Sequence, residues 1–225
     1  MAEIGYTSNV IPNRVVASLT HKAEWIKGLN TGMTLIYQGG SMGRYSYNYS
    51  NDFNRDNQVN DLMYIPRDAS EITFVANTVG TTTFTPAQQT EAFFKLIESD
   101  KYLRSRKGQY AERNGAIAPW RNQVDFRFSQ ELYAGKVAGN RNSLSFYFDV
   151  FNVGNLINSK WGVYSINNNA PLQVSNAPAL VAGGTVKPTF RLNANDGALI
   201  SESNRVNTSI SSTYYMQFGL RYAFN

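Results

Sequence analysis

Residues 214–225 read YYMQFGLRYAFN, and this stretch decides the fold class. Every second residue is apolar or aromatic: Tyr214, Met216, Phe218, Leu220, Tyr222 and Phe224. The positions between them include Gln217, Gly219 and Arg221. Successive side chains of a strand point to opposite faces, so this period of two indicates a β-strand with one apolar and one polar face.

The same alternation recurs in four earlier segments. The five predicted strands cover about residues 14–25, 29–49, 120–133, 142–152 and 212–224. Strands of at least about 10 residues exceed the length usual in soluble sheets and match what a tilted strand needs to cross a bilayer. Two connections are short, near residues 26–28 and 135–140, and two are long, at about 50–118 and 153–211. Outer-membrane barrels alternate short periplasmic turns with long extracellular loops in this way.

Composition excludes several classes of function. The chain has no cysteine and one histidine among 225 residues, which excludes disulfide scaffolds and thiolate zinc sites and argues strongly against a histidine-cluster metal site or a Ser/His/Asp triad. The net charge of +5 is a mild excess, and we expect no nucleic-acid partner. We find no carboxylate pair, activated nucleophile or glycine-rich phosphate loop, and expect no enzymatic activity.

The sequence shows neither a transmembrane helix nor a signal peptide. There is no run of 18 apolar residues, and the opening MAEIGYTSNV lacks the features of a signal peptide. Five strands are too few for a closed barrel, and an open sheet edge does not occur in lipid. We therefore expect the chain to be the C-terminal part of a larger barrel, with its last strand ending on the periplasmic side.

Six stretches, taken in order, resemble a known family. They are NVIPNRVVASLTHKAEW (residues 9–25), GRYSYNYS (43–50), DFNRDNQVNDLMYIP (52–66), YLRSRKGQYAERNGAIAPWRNQVDFRFSQEL (102–132), FDVFNVGNLINSKWGVY (148–164) and YYMQFGLRYAFN (214–225). Their order and spacing are similar to the C-terminal end of TonB-dependent outer-membrane receptors of the Bacteroidetes type. These include SusC/RagA-like receptors and those with a carboxypeptidase-regulatory-like domain.

The resemblance implies a fold, a function and partners. Such receptors have a 22-stranded antiparallel transmembrane β-barrel, closed by an N-terminal plug, and import a nutrient such as a glycan, peptide or chelate with energy from TonB. This all-β segment would supply barrel wall, long extracellular loops and one short loop helix. Its partners would be the rest of its barrel and plug, TonB through that plug, the barrel assembly machinery, the lipid bilayer and a surface lipoprotein of the SusD type. The location would be the outer membrane of a Gram-negative cell.

The final strand carries a pattern that resembles the signal read by the barrel assembly machinery. That pattern is a polar residue, a glycine two positions later and two spaced aromatics, here Gln217, Gly219, Tyr222 and Phe224. Asn225 departs from it by making the second aromatic next to last. Strand addition to an open edge is the mode of recognition that this pattern favours.

Residues 52–61 have the spacing of a calcium loop. Oxygen-bearing side chains stand at positions 1, 3, 5 and 9, and the candidate ligands are Asp52, Asn54, Asp56, Gln58, Asn60 and Asp61. The twelfth position is Met63 in place of the bidentate Glu, so the loop is not an EF-hand. The alternative is a turn held by side-chain to backbone hydrogen bonds. The two interpretations stay open on the sequence.

Two further predictions follow from local pattern. Thr85, Pro86 and Gln88 are arranged as a helix N-cap, with Phe93, Phe94 and Ile97 as the apolar face. Strand parity places Arg127, Tyr147, Asp149 and Arg221 on the polar face, which would line the lumen of a barrel.

The rival to the barrel is a soluble secreted adhesin or glycan-binding β-sandwich, suggested by the high Asn and Tyr content.

Overall fold

The computed structural model describes residues 5–8, 10–137, 139–177 and 184–224. Strands make up 47% and helices 15% of these described residues, which confirms a mostly β fold with antiparallel sheets. The chain divides into two compact units. The sheet unit comprises Ile11–Met42, Pro119–Ser165 and Val206–Asn225, and the loop unit comprises Met1–Val10, Gly43–Ala118 and Ile166–Arg205.

The strands over the described residues are, in chain order, β1 (Arg14–Ile26), β2 (Leu29–Ser41), β3 (Arg44–Tyr45), β4 (Tyr64–Ile65), β5 (Asn77–Val79), β6 (Thr82–Phe84), β7 (Gln109–Tyr110), β8 (Ala116–Ile117), β9 (Trp120–Val137), β10 (Asn140–Phe151), β11 (Ser165–Asn167), β12 (Leu172–Val174), β13 (Phe190–Leu192), β14 (Ala194–Asn195), β15 (Ala198–Leu199), β16 (Asn204–Val206) and β17 (Tyr215–Phe224). The helices are α1 (Pro86–Ser99), α2 (Lys101–Ser105) and α3 (Val153–Ile157), with 3₁₀ turns at Ala69–Glu71 and Ile210–Ser212. Within these described ranges, no helix has the length and apolar character needed to span a membrane.

Five long strands form the sheet unit, in the order β1-β2-β9-β10-β17, and every neighbouring pair is antiparallel. The β1–β2 hairpin turns at Gly28, with φ of 76°, and Gly139 before β10 has φ of 87°. Glycine reaches these positive φ values without a steric penalty, which allows tight turns. The register aligns Phe128, Phe148 and Phe218 across three strands.

The sheet has two chemically different faces, and the apolar one is exposed. Leu19, Phe218 and Leu220 are 70%, 67% and 70% exposed. Val15 is also half exposed, so the apolar residues of these strands do not form a closed core. The opposite face carries charged and hydroxyl side chains, with Arg127 opposite Asp149. An exposed apolar surface of this kind is typical of a site that contacts another protein, a ligand or a membrane.

The predicted second strand, residues 29–49, is wrong in its second half. β2 ends at Ser41, and Gly43, with φ of 104°, turns the chain into the short strand β3. The alternating pattern does reflect burial beyond Ser41, because every second residue there, Tyr45, Tyr47 and Tyr49, is buried. They are buried in the core of the loop unit, and sequence parity does not distinguish this environment from an apolar face of the sheet.

The long segments 50–118 and 153–211 are not structureless loops. Large parts of both join the loop unit, which has its own core. The core residues are Tyr45, Tyr47, Tyr49, Met63, Ile65, Phe74, Phe93, Leu96, Ile97, Leu103, Ala111, Ala116, Ala118, Leu172, Val174, Ala177, Phe190, Leu192 and Ile200. Burial of this much apolar surface stabilises a unit built from very short strands.

The helix start is confirmed. Thr85 caps α1 in a capping box with Gln88, and Pro86 occupies the first turn. Phe93 and Ile97 are fully buried. The helix runs for 14 residues, and α2 and α3 accompany it, so the expectation of one short helix underestimated the helical content.

Candidate functional site

A cleft of about 480 Å³ in the loop unit is lined mainly by amide side chains. The amides are Asn77, Asn167, Asn168, Asn169, Gln173, Asn193 and Asn195. Arg205 is the one charged residue that the described part of the chain contributes to the lining, and Ile166, Val79 and Ile200 add apolar surface. Amides offer both donors and acceptors without net charge, so the cleft is suited to a polar ligand.

Hydrogen bonds from the amide nitrogens hold this lining in place. Asn77 Nδ2 donates to Leu192 O, and Asn193 Nδ2 donates to Ala170 O, both at 2.8 Å. Asn195 Nδ2 donates to Asn168 Oδ1 at 2.8 Å. Anchoring one end of an amide fixes the direction of the other, which prepares it for a ligand group.

Two groups in this lining have spare hydrogen-bonding capacity. Asn167 Oδ1 is buried and has no hydrogen-bond partner among the described residues. Arg205 Nη1 lies 3.9 Å from Asp196 Oδ2, and the Asp196 side chain is almost fully exposed. A buried acceptor without a partner is costly, and a ligand donor would remove that cost. The run of three asparagines at Asn167–Asn169 is visible in the sequence. It could not be recognised as part of a cleft, because Asn77 and Asn193, which complete the lining, lie elsewhere in the chain.

The predicted calcium loop forms a turn held by its own side chains. Asp52 accepts hydrogen bonds from the backbone N–H of Arg55 at 2.5 Å and of Asn57 at 2.8 Å. Arg55 and Asn57 both have positive φ, 64° and 68°. Asp61 Oδ2 accepts from the N–H of Phe53 at 2.8 Å.

The remaining candidate ligands are engaged in the same way. Asp56 Oδ1 accepts from Gln58 N, and Asn54 Oδ1 accepts from Asp56 N, both at 2.9 Å. Asn60 Nδ2 donates to Gln58 Oε1 at 2.8 Å. The described residues contain no group of three or more His, Cys, Asp or Glu side chains placed to hold a metal ion. In this structure the side chains of the loop bond to its own backbone and to each other, which is the geometry of the alternative, an Asx-type turn; calcium binding by Asp52, Asn54, Asp56, Gln58, Asn60 and Asp61 stays a prediction.

Three of the four polar-face residues meet in the sheet unit. Arg127 Nε and Nη2 donate to the two carboxylate oxygens of Asp149 at 2.6 and 2.8 Å. The Arg127 guanidinium carbon lies 5.9 Å from the centre of the Tyr147 ring. The Asp149 side chain is 9% exposed and that of Arg127 is 55% exposed. Arg221 lies opposite Ser145 and forms no ion pair within the described ranges.

The last strand places its signal-like residues along β10. Gln217 lies opposite Asp149, and Gly219 lies opposite Tyr147. Tyr222 Oη donates to Asn142 Oδ1 at 2.5 Å, whereas Phe224 is largely exposed. β17 is the outermost strand of the sheet, so its other edge is unpaired over the residues that the structure describes. Asn225 lies outside the described residues.

A buried tyrosine cluster lies in the core of the loop unit. Tyr47 Oη donates to Asp100 Oδ2 at 2.7 Å and lies 3.2 Å from Tyr45 Oη. Burial raises the pKa of Tyr45 and of Tyr49 to about 12 and raises that of Tyr47 as well, because the phenolate loses its hydration. These hydroxyls stay protonated at neutral pH; that of Tyr47 donates to Asp100, and that of Tyr49 accepts a hydrogen bond from the backbone N–H of Tyr64 at 3.2 Å.

No family model, curated protein or solved structure matches this chain.

Proposed function

We propose that this chain is part of a TonB-dependent outer-membrane receptor, in which it forms barrel wall and extracellular loops and carries no catalytic activity. The receptor would import a nutrient with energy delivered through TonB to a plug domain. The observation that carries the proposal is the exposed apolar face of the five-stranded sheet.

That face has the chemistry of a lipid-contacting surface. Leu19, Phe218 and Leu220 are exposed, and the charged side chains of the same strands occupy the opposite face. A strand whose residues alternate between lipid and an aqueous lumen shows this arrangement. Each exposed apolar side chain would be costly in water and stable in hydrocarbon.

Strand length supports the same placement. The long strands contain 10 to 18 residues. At a rise of about 3.4 Å per residue and a tilt of about 45°, ten residues span about 24 Å, close to the apolar band of an outer-membrane barrel.

The sheet needs further strands if it lies in a bilayer. β1 and β17 each have one edge without a partner over the described residues. Unpaired backbone groups are not tolerated in hydrocarbon, so both edges would pair with other strands of the same barrel. The paired Arg127 and Asp149 would then face the lumen, where the plug domain lies.

The loop unit supports a receptor role. Segments 42–119 and 152–214 leave and re-enter the sheet at one end, where Ser41 pairs with Trp120 and Phe151 pairs with Tyr215. In the proposed orientation this end is extracellular, and the amide-lined cleft would present polar groups to a ligand. A surface lipoprotein of the SusD type would be the expected partner there, and the barrel assembly machinery would be the partner of β17.

The soluble rival is less consistent with the exposed face. A glycan-binding β-sandwich buries one face of each sheet against the other. Phe218 and Leu220 are exposed instead. The amide-lined cleft is compatible with either function and does not discriminate between them.

Single-cysteine labelling tests the proposal, and the chain suits it because it contains no native cysteine. Leu220→Cys and Phe218→Cys place the thiol on the apolar face, while Ser145→Cys and Ser129→Cys place it on the polar face. In intact outer membranes, a water-soluble maleimide should label the polar-face variants and leave the apolar-face variants unlabelled.

Labelling of the same variants in denaturant provides the control, since all four thiols should then react equally. Equal reactivity of the two faces in membranes, or recovery of the chain as a monomer without detergent, would contradict the proposed membrane placement.

A further inference from the structure

A second pocket, of about 290 Å³, lies in the sheet unit at the end where β9 begins. Its wall includes Trp120, Trp161, Val124 and Lys160. Both tryptophans are exposed. Among the residues that the structure describes, no acidic residue lines the pocket. A pocket that combines exposed indoles with cationic side chains is suited to an amphipathic anion.

The position of Trp120 ties this pocket to the apolar face. Trp120 has the same strand parity as Val124 and Phe126, and Val124 pairs with Tyr37. Asn122 Oδ1 accepts hydrogen bonds from Trp120 Nε1 and Tyr37 Oη, both at 2.8 Å. The two rings therefore form a fixed platform whose polar atoms are already satisfied.

Gly39 makes room for this platform. A Cβ at Gly39 would lie 2.9 Å from Trp120 Cζ2 and would also collide with the Tyr37 ring. Only glycine leaves the two aromatic rings free to pack over the backbone of β2. The surface at this end of the apolar face is thus preorganised.

Trp161 is held on the other side of the pocket through its backbone. Its N–H donates to Asn158 O at 2.9 Å, and its carbonyl accepts from Asn155 Nδ2 at 3.0 Å. The indole itself remains exposed. Tryptophans in such positions are enriched where a membrane protein meets the headgroup region.

The charge of the pocket comes from two cations with different environments. Arg121 lies 3.8 Å over the Tyr164 ring and donates Nε to Gly162 O at 3.0 Å, so its guanidinium is engaged. Lys160 is exposed and forms no ion pair within the described ranges; its backbone N–H donates to Asn158 Oδ1 at 2.9 Å. The Lys160 ammonium is therefore free to bind an anion.

We propose that this pocket binds an anionic, phosphate-bearing lipid headgroup at the membrane surface. Lys160 would pair with the phosphate, while Trp120 and Trp161 would contact the upper acyl region. The inference rests on the proposed membrane placement of the sheet, since the pocket adjoins the face assigned to lipid. One lysine near an anionic lipid surface contributes about 1 kcal/mol, which corresponds to about fivefold local enrichment.

Quenching of tryptophan fluorescence by brominated lipids tests the proposal. The complete receptor that contains this chain is reconstituted in phosphatidylcholine vesicles containing phosphatidylglycerol, with bromine on one lipid or the other. A form carrying Trp120→Phe and Trp161→Phe is measured in parallel, so that the difference between the two forms isolates the quenching of these two tryptophans. At equal bromine content, brominated phosphatidylglycerol should quench about fivefold more effectively than brominated phosphatidylcholine. Lys160→Ser should bring the ratio near one, whereas Lys136→Ser, at the other end of β9, should leave it unchanged.

The outcomes separate the two proposals. Two results would overturn the headgroup site and leave the membrane placement standing. One is quenching of the parent by both lipids to the same extent. The other is a preference for brominated phosphatidylglycerol that falls equally in Lys160→Ser and Lys136→Ser. Quenching by neither lipid overturns the membrane placement and the site together. Loss of the preference on adding inorganic phosphate alone would overturn the lipid as the occupant.

Discussion

At the scale of single residues, the Arg127–Asp149 pair is the best-defined polar contact of the sheet. The carboxylate is almost buried, and both of its oxygens accept hydrogen bonds from one guanidinium. Bidentate pairs of this kind are stronger than single contacts between neutral groups. Because Arg127 remains half exposed, water partly screens its attraction to Asp149. The pair contributes to stability mainly because it gives the nearly buried Asp149 carboxylate a hydrogen-bond partner.

Arg127→Ala should therefore lower the free energy of unfolding by about 1–3 kcal/mol, because it strands a nearly buried carboxylate. Arg221→Ala is the matched control, since Arg221 lies on the same face and forms no ion pair within the described ranges; it should change stability by less than about 0.5 kcal/mol. Urea unfolding in a fixed detergent measures both. Equal effects of the two substitutions would show that the pair contributes nothing specific.

The Asp52 turn gives a second residue-level prediction. Asp52 caps the N–H groups of Arg55 and Asn57, which stand in the left-handed region. Asp52→Ala removes both caps and should loosen the turn by about 1 kcal/mol, which raises the population open to protease about fivefold. Trypsin cleavage after Arg55 measures the change. Glu91→Ala, an exposed substitution in α1, should leave the rate unaltered, and an unaltered rate in Asp52→Ala would refute the capping role.

At the scale of elements, local patterns were readable from the sequence and long-range contacts were not. The capping box at Thr85 and the alternation in β17 involve residues a few positions apart, so the sequence contains all the information needed. The core of the loop unit and the amide-lined cleft depend on contacts such as Asn51 with Val174 and Asn77 with Leu192. No periodicity encodes which distant segments meet, and for the same reason the sequence pattern extends the second long strand wrongly through Tyr45 and Tyr47.

Gln89 shows how such a contact fixes an element. It is fully buried in α1, donates to Val75 O at 2.7 Å and accepts from Leu192 N at 2.9 Å. Gln89→Leu would leave both backbone groups buried without partners, and we expect a loss of about 2 kcal/mol in the stability of the loop unit. Hydrogen exchange at the Leu192 amide measures it directly. Unchanged protection of that amide would mean that Gln89 does not hold α1 to β13.

The tyrosine core gives the loop unit a pH dependence on the alkaline side. The folded pKa of Tyr45 and Tyr49 is raised to about 12 from an ordinary value near 10, so the folded state holds these protons more tightly. Their contribution to stability is complete below about pH 10 and is lost as the pH rises towards about 12, at about 1.4 kcal/mol per pH unit for each tyrosine.

Tyr49→Phe tests this dependence, because it keeps the ring that stacks on Phe53 at 4.9 Å and removes the ionisable group. Denaturant unfolding between about pH 10 and 12 should show a slope smaller by about 1.4 kcal/mol per pH unit than in the parent. Tyr110→Phe, at an exposed position, is the comparison that should follow the parent. A slope identical to the parent in Tyr49→Phe would disprove the buried-phenol account.

At the scale of the whole molecule, the proposals share one requirement, which is that the sheet is completed by strands from outside the described residues. The free edge of β17 is where completion and recognition by an assembly factor would both occur. Strand addition takes its affinity from main-chain hydrogen bonds and its specificity from alternate side chains. On β17 those side chains would be Tyr222 and Phe224, which share the exposed apolar face.

Phe224→Ala should therefore slow assembly into the outer membrane, with a loss of about 2 kcal/mol if the ring is an anchor for the assembly machinery. Tyr214→Ala is the control, since Tyr214 is partly exposed and lies just before β17. The heat-modifiable mobility of the folded barrel in cells measures assembly, and refolding in detergent micelles without the machinery measures intrinsic folding. Slower assembly with unchanged refolding locates the effect in recognition, because both experiments contain the same strand and only one contains the partner. Assembly of Phe224→Ala at the parent rate, or an equal slowing in both experiments, would remove the recognition role and leave Phe224 as one of several aromatic residues at the edge of the apolar face.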